Sequence, residues 1–211
     1  MFRSDNLFSR FMNVLFDVIC VGVLWVIASI PVVTSGAAFT AAYYTMSKSV
    51  RHKTGYVGRE FLHSLKINLK QTLPLTILFL TGFVILGIDI LYVWMNDSKL
   101  NSALFMILLL ILFLISGLWF FGFTLLSRFD KCNMELIKMA AVLMFRYLPV
   151  TVFIMAVFII AGIAVYLMPW AVLIIPGVYL YGFSFPMEWI LKKIMPVPEE
   201  GSEEAMKWYY Q

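Results

Sequence analysis

Six runs of apolar residues alternate with short polar segments along almost the whole chain. A helix needs roughly 20 mainly apolar residues to cross the hydrocarbon core of a bilayer. Five of the runs approach that length, and the second is shorter and less hydrophobic. The pattern predicts six membrane-spanning helices, over residues 11–33, 36–50, 74–95, 103–127, 149–168 and 171–191.

The composition indicates that lipid is the solvent of these runs. Apolar residues make up 62% of the 211-residue chain and charged residues 13%, with a mean hydropathy of +0.91. Soluble domains carry about 25% charged residues. The first apolar run is too long for a signal peptide and lacks a small-residue cleavage site, so we expect no cleaved leader. We therefore predict a multi-pass protein of the cell membrane.

The distribution of lysine and arginine predicts the orientation. With the N-terminus in the cytoplasm and six spans, fifteen of the 16 basic residues fall on the cytoplasmic side and only Lys99 falls outside. This asymmetry agrees with the positive-inside rule. Without the short second span, the basic segment 48–70 would lie outside. Both termini are therefore expected in the cytoplasm.

Two polar segments between the spans have the periodicity of amphipathic helices, 58–72 and 131–147. In the first, the basic residues Arg59, His63, Lys66 and Lys70 recur at helical spacing on one face. One interpretation is that both helices lie among anionic lipid headgroups. The other is that this basic stripe docks a cytoplasmic protein.

Weak internal repeats suggest three helical hairpins. Leu73-Pro74-Leu75-Thr76 resembles Leu148-Pro149-Val150-Thr151, and a GxxxxGF[TS] pattern recurs from Gly117 and from Gly177. In both repeats a Leu-Pro pair is expected to open the outgoing helix. The predicted fold is all-α: a polytopic membrane bundle of six transmembrane helices in three hairpins, with two cytoplasmic interfacial helices. Residues 1–195 form one domain and 196–211 a short cytoplasmic tail.

The segment 34–46, TSGAAFTAAYYTM, is rich in small residues. Small residues three or four apart let membrane helices approach closely. One interpretation is therefore tight packing inside the bundle. The other is a polar pocket near the outer surface, in which Asp89 also takes part. The candidate residues from this segment are Thr34, Ser35, Gly36, Ala37, Thr40 and Ala41.

Ionisable residues within spans are candidates for function. Asp17 lies in the first span, Glu188 lies near the inner end of the last, and Arg128 ends the fourth. They are expected to form one inner polar cluster, in which Asp17 or Glu188 pairs with Arg128. The pattern leaves open whether this cluster holds helices together or moves protons.

Motifs for other chemistries are missing from the sequence. It has no HExxH zinc signature, no GxSxG nucleophile turn and no P-loop. Cys20 and Cys132 stand far apart, and no Cys/His cluster has metal-ligand spacing. The net charge of +4 is explained by the membrane topology and does not indicate nucleic-acid binding. We therefore expect no enzyme activity and no cofactor.

The chain resembles the YesL-like membrane proteins of Gram-positive bacteria, a family of unknown function. The resemblance rests on the first apolar helix with Ile30-Pro31, on the segment 34–41, and on the two Leu-Pro pairs. Members are often encoded beside carbohydrate ABC importers, which implies an accessory role in oligosaccharide uptake. No catalytic residues carry over from the family.

Two functional hypotheses follow from the sequence. The first is a non-enzymatic accessory or regulatory membrane protein whose partners are the lipid bilayer and the permease or ATPase subunit of an ABC importer. The second is a small solute-binding transport component, resembling the substrate-capture subunits of vitamin importers. A polar pocket near Thr34, Thr40 and Asp89 would favour the second hypothesis, and a solid core would favour the first.

Overall fold

The structure is a computed structural model that describes residues 7–95, 99–129 and 131–195. Helices are the regular structure of the described residues, which contain no strand, as expected. The predicted tail, 196–211, lies outside the described residues. The helices are α1 (Leu7–Ser29), α2 (Ser35–Thr45), α3 (Val57–Met95), α4 (Lys99–Leu126), α5 (Asn133–Arg146), α6 (Leu148–Leu167) and α7 (Ile175–Ile194).

Four of these helices contain segments long and apolar enough to cross a membrane, and the predicted number of six is not confirmed. α2 has eleven residues, about 17 Å of helix, against a hydrocarbon core of about 30 Å. α7 has 20 residues, but Glu188 and two lysines in its last turns reduce its hydropathy. The four segments lie within Phe11–Ser29, Val57–Met95, Ala103–Leu126 and Leu148–Leu167.

The predicted interfacial helix 58–72 and the predicted span 74–95 form one continuous helix, α3. Its 39 residues correspond to about 58 Å. Pro74 lies inside this helix and does not open a new one, contrary to the expectation for the first Leu-Pro pair. The missing N–H of Pro74 leaves the carbonyl of Lys70 without its helical donor. Both residues are exposed, so solvent or headgroups can solvate that carbonyl.

The second Leu-Pro pair does open a helix. Tyr147 separates α5 from α6 with φ −114° and ψ 40°, outside the helical region, and Pro149 occupies the first turn of α6. In α5, Leu136, Ala140 and Met144 are buried, while Lys138 is exposed on the opposite side. The segment predicted as the second amphipathic helix is thus a separate helix against the bundle.

α1 and α2 form an antiparallel hairpin. A 3-10 turn at Val32–Thr34 reverses the chain, and the Thr34 hydroxyl donates to the carbonyl of Ala28 at 2.6 Å. The rings of Trp25 and Phe39 then meet edge to face at 5.7 Å. The hairpin returns the chain to the N-terminal end of α1, whether or not α2 crosses the whole bilayer.

The short helix α2 is the centre of the molecule. It packs against α1, α3, α4 and α7, and every residue from Gly36 to Tyr43 is buried. Its small side chains allow this, because four neighbouring helices can approach its backbone closely. The ring of Phe39 fills the core by contacting Phe120 at 5.5 Å and Phe183 at 5.6 Å.

Candidate functional site

A buried polar cluster joins α2, the end of α4 and α7. The Tyr43 hydroxyl donates to Glu188 Oε1 at 2.8 Å, and the Arg128 guanidinium forms an ion pair with the same oxygen. The side chains of Arg128 and Glu188 are 0% and 3% exposed. Because the pair carries no net charge, its burial is far less unfavourable than that of either ion alone.

The local sequence explains how the three side chains converge. Arg128 follows the last residue of α4 and is held in a turn by a hydrogen bond from its backbone N–H to the carbonyl of Leu125 at 3.0 Å. Glu188 lies on the buried side of α7. Tyr43 lies beside the pair, with its ring 5.9 Å from the Arg128 guanidinium and 5.8 Å from the ring of Phe183. Tyr43 is not among the residues that the sequence pattern singled out, although it belongs to the small-residue segment 34–46.

A π-helical turn, Met46–Arg51, continues α2 directly after Thr45, two residues beyond Tyr43. Such turns recur at functional sites. Arg51 donates to the carbonyl of Ser184 at 2.7 Å and lies over the ring of Phe185 at 4.4 Å. The arrangement holds α7 against the end of α2.

Asp17 lies apart from the Arg128–Glu188 pair. It lines a small polar pocket of about 240 Å³ together with Asn13, Ser49 and Lys53. Lys53 has a positive φ of 55°, the left-handed conformation that follows a helix end. The structure thus brings together Arg128 and Glu188 but places Asp17 in a separate pocket, between α1 and residues 49–55.

His52 lies outside the predicted spans and directly follows the π-helical turn. Burial lowers the pKa of its imidazole. Glu188 opposes that shift, and the positive charges of Lys192, Arg128 and Arg51 add to it. The neutral form of His52 is therefore favoured in the folded protein.

The candidate residues of the small-residue segment pack solidly. Gly36, Ala37, Thr40 and Ala41 are all buried, and the last three are at most 1% exposed. A Cβ on Gly36 would collide with the Thr76 hydroxyl and the Phe123 ring. Thr40 donates to the carbonyls of Gly36 at 2.9 Å and of Phe123 at 3.2 Å. The segment follows the packing interpretation at these positions.

The polar pocket expected around Thr34, Thr40 and Asp89 is not formed by these three residues. Thr34 closes the α1–α2 turn, Thr40 is enclosed in the core, and Asp89 is exposed near the far end of α3. Ser35 instead lines a large apolar pocket of about 640 Å³. Its walls come from α1, α2, α3, α4 and α6.

The basic stripe lies on the exposed face of the first half of α3. Arg59, His63, Lys66 and Lys70 are all exposed, whereas Phe61 and Ser64 are buried on the opposite face. An ion pair attaches this part of α3 to the end of α2, with Lys48 Nζ 2.7 Å from Glu60 Oε2. Within the described residues, no three His, Cys, Asp or Glu side chains are placed to hold a metal ion.

Comparison with known families gives one match. Residues 18–90 match the model of a family described as "Protein of unknown function, DUF624". The matched segment contains α2, the basic stripe, the second half of α1 and most of α3, but neither Arg128 nor Glu188. No curated protein and no solved structure matches the chain.

Proposed function

We propose that this chain is a non-enzymatic accessory or regulatory protein of the cell membrane that docks a cytoplasmic subunit of a carbohydrate ABC importer through the basic stripe. The observation that carries the proposal is the exposure of all four basic side chains on one face of α3. Both termini would then lie in the cytoplasm, on the same side as the stripe.

The continuity of α3 supports a docking role. The stripe and the apolar segment after Pro74 belong to one helix, so a partner bound at the stripe acts directly on a membrane-spanning element. Phe61 and the Lys48–Glu60 ion pair hold that half of the helix against α2. A rigid row of positive charges suits an acidic protein surface, and complementary charge also accelerates association.

The importer as partner comes from the resemblance to YesL-like proteins, because members of that family are often encoded beside such importers. The match of residues 18–90 to a family of unknown function is compatible with that resemblance and includes the stripe.

The alternative hypothesis, a substrate-capture component for a polar solute, has less support. It needs a polar pocket and an Ala-xxx-Ala face available to a partner. The alanines Ala37, Ala38, Ala41 and Ala42 are at most 1% exposed because helices of the same chain cover them. The large pocket is apolar, which does not suit a sugar or another hydrophilic solute.

The first prediction reverses the charge of the stripe. In the variant Arg59→Glu, Lys66→Glu, Lys70→Glu, copurification of importer subunits from native membranes should fall about tenfold. Three exposed charge pairs at about 0.5 kcal/mol each correspond to that factor. The measurement is affinity purification in mild detergent with quantitative mass spectrometry.

A control variant carries the same change in charge at exposed positions outside the stripe: Lys131→Glu, Lys138→Glu, Lys192→Glu. It should retain the importer subunits. The proposal is wrong if no importer subunit accompanies the unchanged protein, or if both variants lose it equally. A stripe variant that keeps its protein partners but loses anionic lipid would make the stripe a membrane anchor instead.

A further inference from the structure

The large apolar pocket lies where α4 and α6 separate, beside the turn of the α1–α2 hairpin. Its volume of about 640 Å³ is within the range of small-molecule sites, roughly 300–1,000 Å³. None of the four residues of the basic stripe lines it. The pocket therefore needs an explanation of its own.

The inner wall of the pocket is aromatic and well packed. Trp25, Phe39 and Phe120 lie along it, and the Phe120 ring meets the ring of Phe158 on α6 at 5.1 Å. Aromatic walls without charged groups favour a hydrocarbon occupant and disfavour a hydrated one.

The mouth of the pocket opens onto the hydrophobic exterior. Leu109 on α4 and Phe158 and Ile159 on α6 line it and are 40%, 44% and 60% exposed. Both helices contain segments that can span a membrane. Because such surfaces face acyl chains, a ligand enters from the side, out of the bilayer.

One end of the pocket is polar. Ser29 at the end of α1 and Ser35 at the start of α2 line it, and both hydroxyl oxygens are buried without a hydrogen-bond partner among the described residues. Buried hydroxyls normally find a partner, often a carbonyl one helical turn earlier. Two unused donors at the end of an apolar pocket are suited to an acceptor oxygen on the occupant.

We propose that this pocket binds one acyl chain of a membrane phospholipid. The hydrocarbon chain lies along Trp25 and Phe39 between α4 and α6, and the acyl carbonyl oxygen accepts hydrogen bonds from Ser29 and Ser35. This inference depends on α4 and α6 spanning the membrane and is independent of the proposed docking role of the stripe.

The test uses the full chain in phosphatidylglycerol vesicles in which an increasing fraction of the phospholipid carries a photoactivatable diazirine in its acyl chain. Peptide mapping after illumination should show saturable labelling, one lipid per chain, on peptides of α4 and α6. Leu112→Trp, which fills the pocket, should reduce labelling to background. Leu110→Trp is the matched control, because Leu110 is exposed on the same helix and does not line the pocket.

A second pair of variants covers the case in which Leu112→Trp fails to fold. Ile159→Trp at the mouth should block labelling, whereas Ile160→Trp, an exposed neighbour outside the pocket, should not. The double change Ser29→Ala, Ser35→Ala should weaken retention about fivefold, the effect of roughly 1 kcal/mol of hydrogen bonding.

Three outcomes would overturn the proposal. Equal labelling of pocket and control variants, or labelling spread without saturation over all exposed helices, would show ordinary surrounding lipid only. Labelling by a diazirine fatty acid but not by the phospholipid would make the ligand a free fatty acid.

Phosphatidylethanolamine vesicles of the same chain composition should label equally, since the recognised part is the acyl chain.

Discussion

At the scale of the residue, Glu188 connects two helices to the end of a third through a single oxygen atom. Tyr43 and Arg128 both bind that oxygen. The helical pattern placed Glu188, Arg128 and Asp17 near the inner ends of their spans, but it could not choose between the two acids as the partner of Arg128. The choice depends on the rotation of α1 about its axis. That rotation turns Asp17 towards Ser49 and Lys53.

The second prediction concerns this pair. Arg128→Met should lower the free energy of unfolding by about 3–5 kcal/mol, because it leaves the Glu188 carboxylate buried without its counter-charge. Adding Glu188→Leu should restore most of the loss by removing that charge. The measurement is thermal unfolding in a nonionic detergent, with exposed Lys138→Met as control. A single variant as stable as the unchanged protein would contradict the structural role of the pair.

At the scale of the element, the two glycines of the repeated GxxxxGF[TS] pattern in α7 have different surroundings. A Cβ on Gly177 would collide with the carbonyl oxygen of Val18, and a Cβ on Gly22 would lie 2.5 Å from the Gly177 nitrogen. α1 and α7 therefore cross with their backbones in contact. Gly182, five residues after Gly177, has no atom within 4 Å of its added Cβ. Gly122 in the other repeat is equally open.

The third prediction follows from this difference within one helix. Gly177→Ala should destabilise the protein by about 1–3 kcal/mol or more, because the opposing atom is backbone and cannot move aside alone. Gly182→Ala should leave stability unchanged or raise it by up to about 1 kcal/mol, since alanine favours the helix. Thermal unfolding of both variants in the same detergent checks this. Equal effects at the two positions would contradict the crossing at Gly22 and Gly177.

At the scale of the whole molecule, the arrangement of hairpins constrains the topology. α2 runs back along α1, so Tyr56 emerges at the N-terminal end of α1. The positive-inside rule then predicts that this end lies in the cytoplasm, even though α2 is too short to cross the bilayer unaided. The turn between α6 and α7, where Trp170 is exposed, is expected on the opposite side.

The fourth prediction tests this orientation by cysteine labelling in intact cells after Cys20→Ala. A membrane-impermeant maleimide should label Trp170→Cys from outside. Native Cys132, which is exposed, and Tyr56→Cys should react only after permeabilisation. For the Trp170 and Tyr56 measurements, Cys132 is also replaced by alanine. External labelling of Tyr56→Cys would mean that the α1–α2 hairpin does not return to the cytoplasm.

The sequence by itself determined the helical class and the membrane as solvent, because both follow from local composition and periodicity. It also determined the face of the basic stripe and the amphipathic faces of α5, since neighbours on a helix surface are set by spacing alone. These features need no knowledge of what each helix packs against.

Only the tertiary structure decided the role of α2, the partner of Arg128 and the position of the large pocket. Each depends on contacts between residues far apart in sequence, such as Thr40 with Phe123 or Tyr43 with Glu188. The two Leu-Pro pairs show the same limit. Nearly identical residues continue a helix at Pro74 and open one at Pro149. The difference lies in the backbone before each pair: Tyr147 leaves the helical region, whereas the chain stays helical through Pro74.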